Sequence, residues 1–200
     1  QDAQSLHWYG SALLGEGRFA DSLTMLQQAS RLEPSSSAIA ADMAYVQFVA
    51  GQRAAGVAAL QRITEVDPGF SGAHTYLERI HLIDGDSAAF LSEAAQSAHL
   101  KRDESRAALI ARADAAYRKG GRPAMLDQLI GDATAAFAQN GRTALDLARY
   151  SAARGDRAGV LRWLTQADSI HQPEIRSLVA YPDFVPYRDD PAFRRFFPHR

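Results

Sequence analysis

One short stretch, HTYLERIH at residues 74–81, carries the side chains best suited to chemistry. His74, Glu78 and His81 stand at i, i+4 and i+7, so a helix would place all three on one face. Two imidazoles and a carboxylate on one face are a ligand set for zinc or a similar ion. The order is not HExxH, because no second histidine follows at the spacing that motif needs. The same spacing serves a hydrogen-bonded polar seam between helices. We read it as that seam, with a metal-binding or enzymatic protein centred on these three residues as the alternative and a pH-sensitive contact as the third reading. PGFSGAH, residues 68–74, is close to a nucleophile elbow, but Ala73 stands where the last glycine should be and no strand precedes it. Ser71 is expected to cap the next helix instead. No phosphate loop or dinucleotide glycine pattern occurs. Asp183, Asp189 and Asp190 lack calcium-loop spacing and are expected to be caps and solvated charge. No catalytic residue is assigned and no cofactor is expected.

The composition sets the frame for these residues. The chain has 200 residues, of which 46% are hydrophobic and 22% charged, which suits a folded globular chain. A formal net charge of −1 gives no whole-molecule attraction to nucleic acid or to an anionic membrane. No apolar run approaches the roughly 18 residues that span a bilayer. Absence of cysteine excludes disulfides and thiol nucleophiles. Gln1, not methionine, comes first, which reads as a trimmed fragment or a processed product. The compartment is open, with cytoplasm read ahead of periplasm.

What must position the side chains is a repeat. Gly17, Gly51 and Gly85 are spaced by 34 residues, as are Gly121 and Gly155; only the step from Gly85 to Gly121 differs, at 36. Pro34 and Pro68 are also 34 apart. Each glycine sits between two apolar stretches of helical period. Leu6, Tyr9, Gly10 and Leu13 precede Gly17, and Leu23, Leu26, Ala29 and Leu32 follow it. Ser35 to Ser37, Asp86 and Asp190 are natural N-caps, and Pro123 and Pro191 suit first helical turns. LKRDES at 100–105 replaces a proline stop and absorbs the two extra residues. Five helix pairs are expected, at about 3–36, 37–70, 71–103, 104–140 and 141–171, the last opening near Arg142, with a tail over 172–200.

This period, with Gly10 at a small position of the first helix, Gly17-Arg18-Phe19 at the turn, Ala29 in the second helix and Pro34 at the end, resembles the tetratricopeptide repeat. Ala44, Gly51, Gly56, Leu60 and Pro68 repeat the match. The third repeat departs from it, with His74, Glu78 and His81 at packing positions. The resemblance covers about residues 5–170 and implies an all-α, right-handed solenoid that is non-catalytic and binds a peptide or protein partner in a concave groove. It places His7, Trp8, Ser11 and Leu14, then Ala41, Asp42, Tyr45, Phe48 and Val49, then Thr75, Tyr76, Arg79 and Leu82 on the groove face. Of these, His7, Trp8, Ser11, Asp42, Tyr45, Phe48, Tyr76 and Arg79 are taken as the binding residues. The alternative is that Trp8, Tyr45 and Phe48 pack on a preceding helix or on one another. Lysines and asparagines of the carboxylate-clamp type are absent there, so chaperone C-terminal tails are not expected ligands. DFVPYRDDPAFRRF, residues 183–196, is similar to the segment that closes many bacterial repeat arrays. It is expected to fold Tyr181, Phe184, Val185, Phe193, Phe196 and Phe197 onto the last pair. Array plus tail is similar to the C-terminal halves of bacterial winged-helix transcription regulators and of some kinases, which implies a sensing module. No direct nucleic-acid binding or membrane insertion is expected, and self-association is left open.

Overall fold

A computed structural model describes residues 2–141 and 143–197, and every regular element among them is helical. α1 (Ala3–Gly15) pairs with α2 (Phe19–Leu32), α3 (Ser37–Val49) with α4 (Arg53–Val66), and α5 (Ser71–Asp84) with α6 (Ser87–Leu100). α7 (Glu104–Asn140) leaves helical geometry at Gly120 (φ −143°, ψ 17°) and Gly121 (φ 67°, ψ −160°), which splits it into arms at 104–119 and 122–140. α8 (Ala144–Arg154) and α9 (Arg157–Ser169) form the last pair. Successive pairs stack on one another, so the chain is an all-α solenoid. Gln1, Arg142 and residues 198–200 lie outside the described residues, and with them the expected start of the fifth pair at Arg142.

The glycine period marks one recurring backbone event. Gly17, Gly51, Gly85, Gly121 and Gly155 have φ of 77°, 97°, 83°, 67° and 76°, the left-handed region that favours glycine. A Cβ at Gly51, Gly85 or Gly155 would meet nothing within 4 Å, so the backbone angle and not space selects glycine there. Close helix approach sets other small positions. A Cβ on Gly10 would come 2.8 Å from Leu26, and one on Gly56 would come 2.6 Å from the Ala44 carbonyl. Ser22 fits the first crossing by donating to the Gly10 carbonyl at 2.7 Å.

Caps follow local chemistry. Ser36, Asp86, Asp103 and Asp156 each accept a backbone N–H of the helix they start. Ser71 does not cap α5: Phe70 holds the cap position without a side-chain bond, and the Ser71 carbonyl instead accepts the Thr75 hydroxyl at 3.0 Å. Arg122, just past the α7 break, ties three elements. Its guanidinium donates to the Leu82 carbonyl at 3.0 Å, to the Ala153 carbonyl at 3.1 Å and to the Ser87 hydroxyl at 3.4 Å. A cation at the C-terminal ends of α5 and α8 also suits their dipoles. Arg122→Leu is expected to cost about 1–3 kcal/mol, because buried carbonyls lose a charged donor; urea unfolding measures it.

The tail forms three short 3-10 segments, Pro173–Ala180, Pro182–Tyr187 and Pro191–Phe196. Leu178, Phe184, Phe193 and Phe196 close a core cluster with Leu145, Ala148, Val160 and Leu164 of α8 and α9. Val185 is 49% exposed and is no part of that seal. Residues 177–183 do something else: they lie against the first helices of several pairs. A Cβ on Gly15 would come 3.2 Å from Ser177, and one on Gly17 would come 2.9 Å from Val179. The Tyr45 hydroxyl donates to the Ala180 carbonyl at 3.0 Å, and Asp183 reaches Arg149.

Candidate partner-binding groove

The first helices of the pairs, α1, α3 and α5, bring most of the expected groove residues into one connected cluster. Asp42 on α3 is its hub. The Ser11 hydroxyl donates to Asp42 Oδ2 at 2.9 Å, and the Tyr76 hydroxyl donates to Oδ1 at 2.7 Å. His7 Nε2 lies 2.9 Å from the same Oδ2. Burial, and then the Asp42 carboxylate, push the Tyr76 phenol well above its ordinary value, so it remains a donor. Tyr76 stacks on Tyr45 with ring centroids 4.2 Å apart and planes within 11°. Tyr45 is 1% exposed, and burial raises its phenol too.

Arg79 lies between two rings. Its guanidinium carbon is 5.7 Å from the Tyr45 ring centre and 4.8 Å from that of Tyr181 in the tail. Burial opposes its charge; the surrounding Tyr45 and Tyr181 oxygens and Asp183 outweigh it, and the guanidinium stays protonated. Trp8 stands apart from this cluster, 67% exposed on α1. Phe48 is 2% exposed and packs inside the second pair beneath Gly56, with the Arg53 guanidinium 4.4 Å above its ring. The groove-facing expectation for Phe48 is therefore corrected: the tight approach of α4 at Gly56 covers it.

The expectation of a solvated Asp183 is corrected as well, and with it enters Arg149, to which the sequence motifs assign no role. Arg149 on α8 has a side chain 10% exposed, and that of Asp183 is 2% exposed; Arg149 Nε donates to Asp183 Oδ1 at 3.3 Å. Asp183 Oδ2 is buried without a partner. Burial and the Arg79 cation oppose the Arg149 charge; the carboxylates of Asp183 and Asp146 with the Tyr150 oxygen together outweigh them. A signal for Arg149 exists in the period: Ser11, Tyr45, Arg79 and Arg149 each stand six residues before a turn glycine, at Gly17, Gly51, Gly85 and Gly155. The expected groove row spans three pairs, and the same period extends it to the fifth.

The His74, Glu78 and His81 face is divided between partners. His74 Nδ1 lies 2.6 Å from Glu93 Oε2 of α6, and Glu78 pairs with Arg106 of α7, which also donates to the Tyr150 hydroxyl at 3.2 Å. His81 joins neither pair. Among the described residues no group of three His, Cys, Asp or Glu side chains could hold a metal ion. No helix among them is long and apolar enough to cross a membrane.

Residues 13–80 match the family model of the tetratricopeptide repeat. No curated protein matches the chain. The matched residues run from the end of α1 into α5, and helix pairs continue past them to Ser169. Repeats of this kind generally mediate protein–protein interaction and are typically non-catalytic scaffolds.

Proposed function

We propose that the chain is a non-catalytic interaction module whose concave face receives a peptide segment of a partner protein. The observation that carries this reading is that the face already holds a peptide, residues 177–183 of the chain itself, against α1, α3, α5 and α8. Trp8 is the exposed aromatic of the rim; His7, Ser11, Asp42 and Tyr76 form its polar part, and Tyr45 and Arg79 form the floor. The similarity of array and tail to bacterial regulators supports a place as the sensing part of a larger regulatory protein. The metal-dependent reading has no observation in its favour, since His74 and Glu78 are engaged with different partners.

Titration of a partner isolated by pull-down tests the face. Trp8→Ala and Arg79→Ala are each expected to weaken binding by about 1 kcal/mol or more, as truncated aromatic and arginine hot spots do. Val66→Ser, on the exposed side of α4, is expected to leave it unchanged. Phe48→Ala is no clean probe, because emptying that core position costs about 3–5 kcal/mol of stability. Affinity unmoved by the two groove variants and lost on Val66→Ser would transfer the site to the outer face.

A further inference from the structure

We infer that residues 177–183 are a displaceable occupant of a carboxylate subsite built by Arg79 and Arg149, and that a partner segment with an aspartate two residues after a tyrosine takes their place. This names the partner chemistry for the groove and rests on the interaction-module reading above.

Arg79 and Arg149 come from first helices of the third and fifth pairs and share one position of the period, six residues before the turn glycine. Their charges face the same stretch of tail. Only one carboxylate of that stretch answers them, and only in part. Asp183 Oδ1 takes a single long bond from Arg149, and Oδ2 takes none. Among the described residues no carboxylate lies within ion-pair distance of Arg79, whose faces are covered by Tyr45 and Tyr181 instead. Asp146, one turn before Arg149 and 3.8 Å from it, is a second carboxylate partner, 45% exposed. Two guanidinium groups thus share one half-engaged carboxylate of the tail, with Asp146 as the second and longer partner of Arg149. A ligand free to seat both oxygens gains charge-assisted bonds that the tethered tail leaves unmade.

The pose also says what else the ligand carries. Tyr181 stacks on Arg79, Pro182 spends no backbone donor, and the Ala180 carbonyl takes the Tyr45 hydroxyl. The order small residue, tyrosine, proline, aspartate therefore matches the floor. Departure of 177–183 takes Leu178 out of the core cluster but leaves its phenylalanines. Phe184, Phe193 and Phe196 lie beyond it and hold the tail on α8 and α9. The stretch from the end of α9 to Tyr187 is irregular and 3-10, with poorer hydrogen bonds than an α-helix.

The test uses the full chain and a fluorophore-labelled, amide-capped peptide of residues 175–183, followed by fluorescence anisotropy. Asp183→Asn in the chain keeps the side-chain shape and removes the charge that holds the tail. The peptide is expected to bind that variant at least about tenfold more tightly than the wild-type chain, because a weakened internal competitor frees the subsite. Tyr181→Leu, which leaves Asp183 in place and uncovers Arg79, is expected to shift affinity in the same direction. It also serves if Asp183→Asn does not fold. The same peptide with asparagine for its aspartate is expected to bind either variant at least about tenfold more weakly. Equal affinity for wild-type and variant chains, or for the two peptides, overturns the inference. If no peptide binds any chain while Trp8→Ala and Arg79→Ala still weaken a protein partner, the subsite is wrong and the module reading stands. Peptide binding as expected, with a protein partner indifferent to both groove variants, would uphold the subsite and sink the module reading.

Discussion

Deleting residues 183–200 is expected to make the chain aggregate, or to lower its melting temperature by at least about 10 °C. Phe184 and Phe193 are 0% exposed and Phe196 is 4% exposed. Each buried side chain of this kind contributes about 1.5–3 kcal/mol. Their joint loss is comparable to the whole margin of a domain, roughly 5–15 kcal/mol. Each kcal/mol is about 2–4 °C at this chain length. The deletion would also bare Leu145, Ala148, Val160 and Leu164 and leave Arg149 without Asp183. Calorimetry with size-exclusion chromatography measures the effect. A monomer with unchanged melting would show that the tail is a free ligand motif and no seal. This loss is distinct from release of 177–183 alone, which keeps the phenylalanine anchor in place.

Arg149→Ala is the second large effect. The variant takes from the buried Asp183 carboxylate the cation it is paired with, and breaking a buried pair from one side costs about 3–5 kcal/mol. Replacing both partners by apolar residues, Arg149→Met with Asp183→Leu, is expected to recover most of that loss, because neither charge then has to be desolvated. Urea unfolding of the single and double variants forms the comparison. A single variant within about 0.5 kcal/mol of wild type would mean that water reaches Asp183 and that the tail does not bury it. The double variant also removes Arg149 from the carboxylate subsite, so it should discriminate aspartate from asparagine in the 175–183 peptide less than Asp183→Asn does.

The sequence by itself determined the helices, their pairing and the turns between them. Those are local matters. Gly17, Gly51, Gly85, Gly121 and Gly155 each adopt a backbone angle that favours glycine, and the apolar stretches on either side have one helical period. Asp86, Asp190 and Ser36 cap because a cap bond spans only two or three residues. The same local reading put Ser71 one place off, since a hydroxyl signals a helix start without fixing which residue is first. The tertiary structure alone decided what covers Tyr45, Arg79 and Arg149. Tyr45 and Ala180 are 135 residues apart, and Arg149 and Asp183 are 34 apart on different elements. Whether a tail meets them depends on the small angle added at each stacked pair, and no short stretch of residues encodes that sum. Burial of Asp183 is its consequence: an aspartate beside a proline reads as a solvated turn until curvature carries Arg149 to it. Phe48 and Tyr45 show the same limit in one helix. Both are aromatic and three residues apart, yet the bare backbone at Gly56 draws α4 over Phe48, while the tail, arriving from the far end of the chain, covers Tyr45.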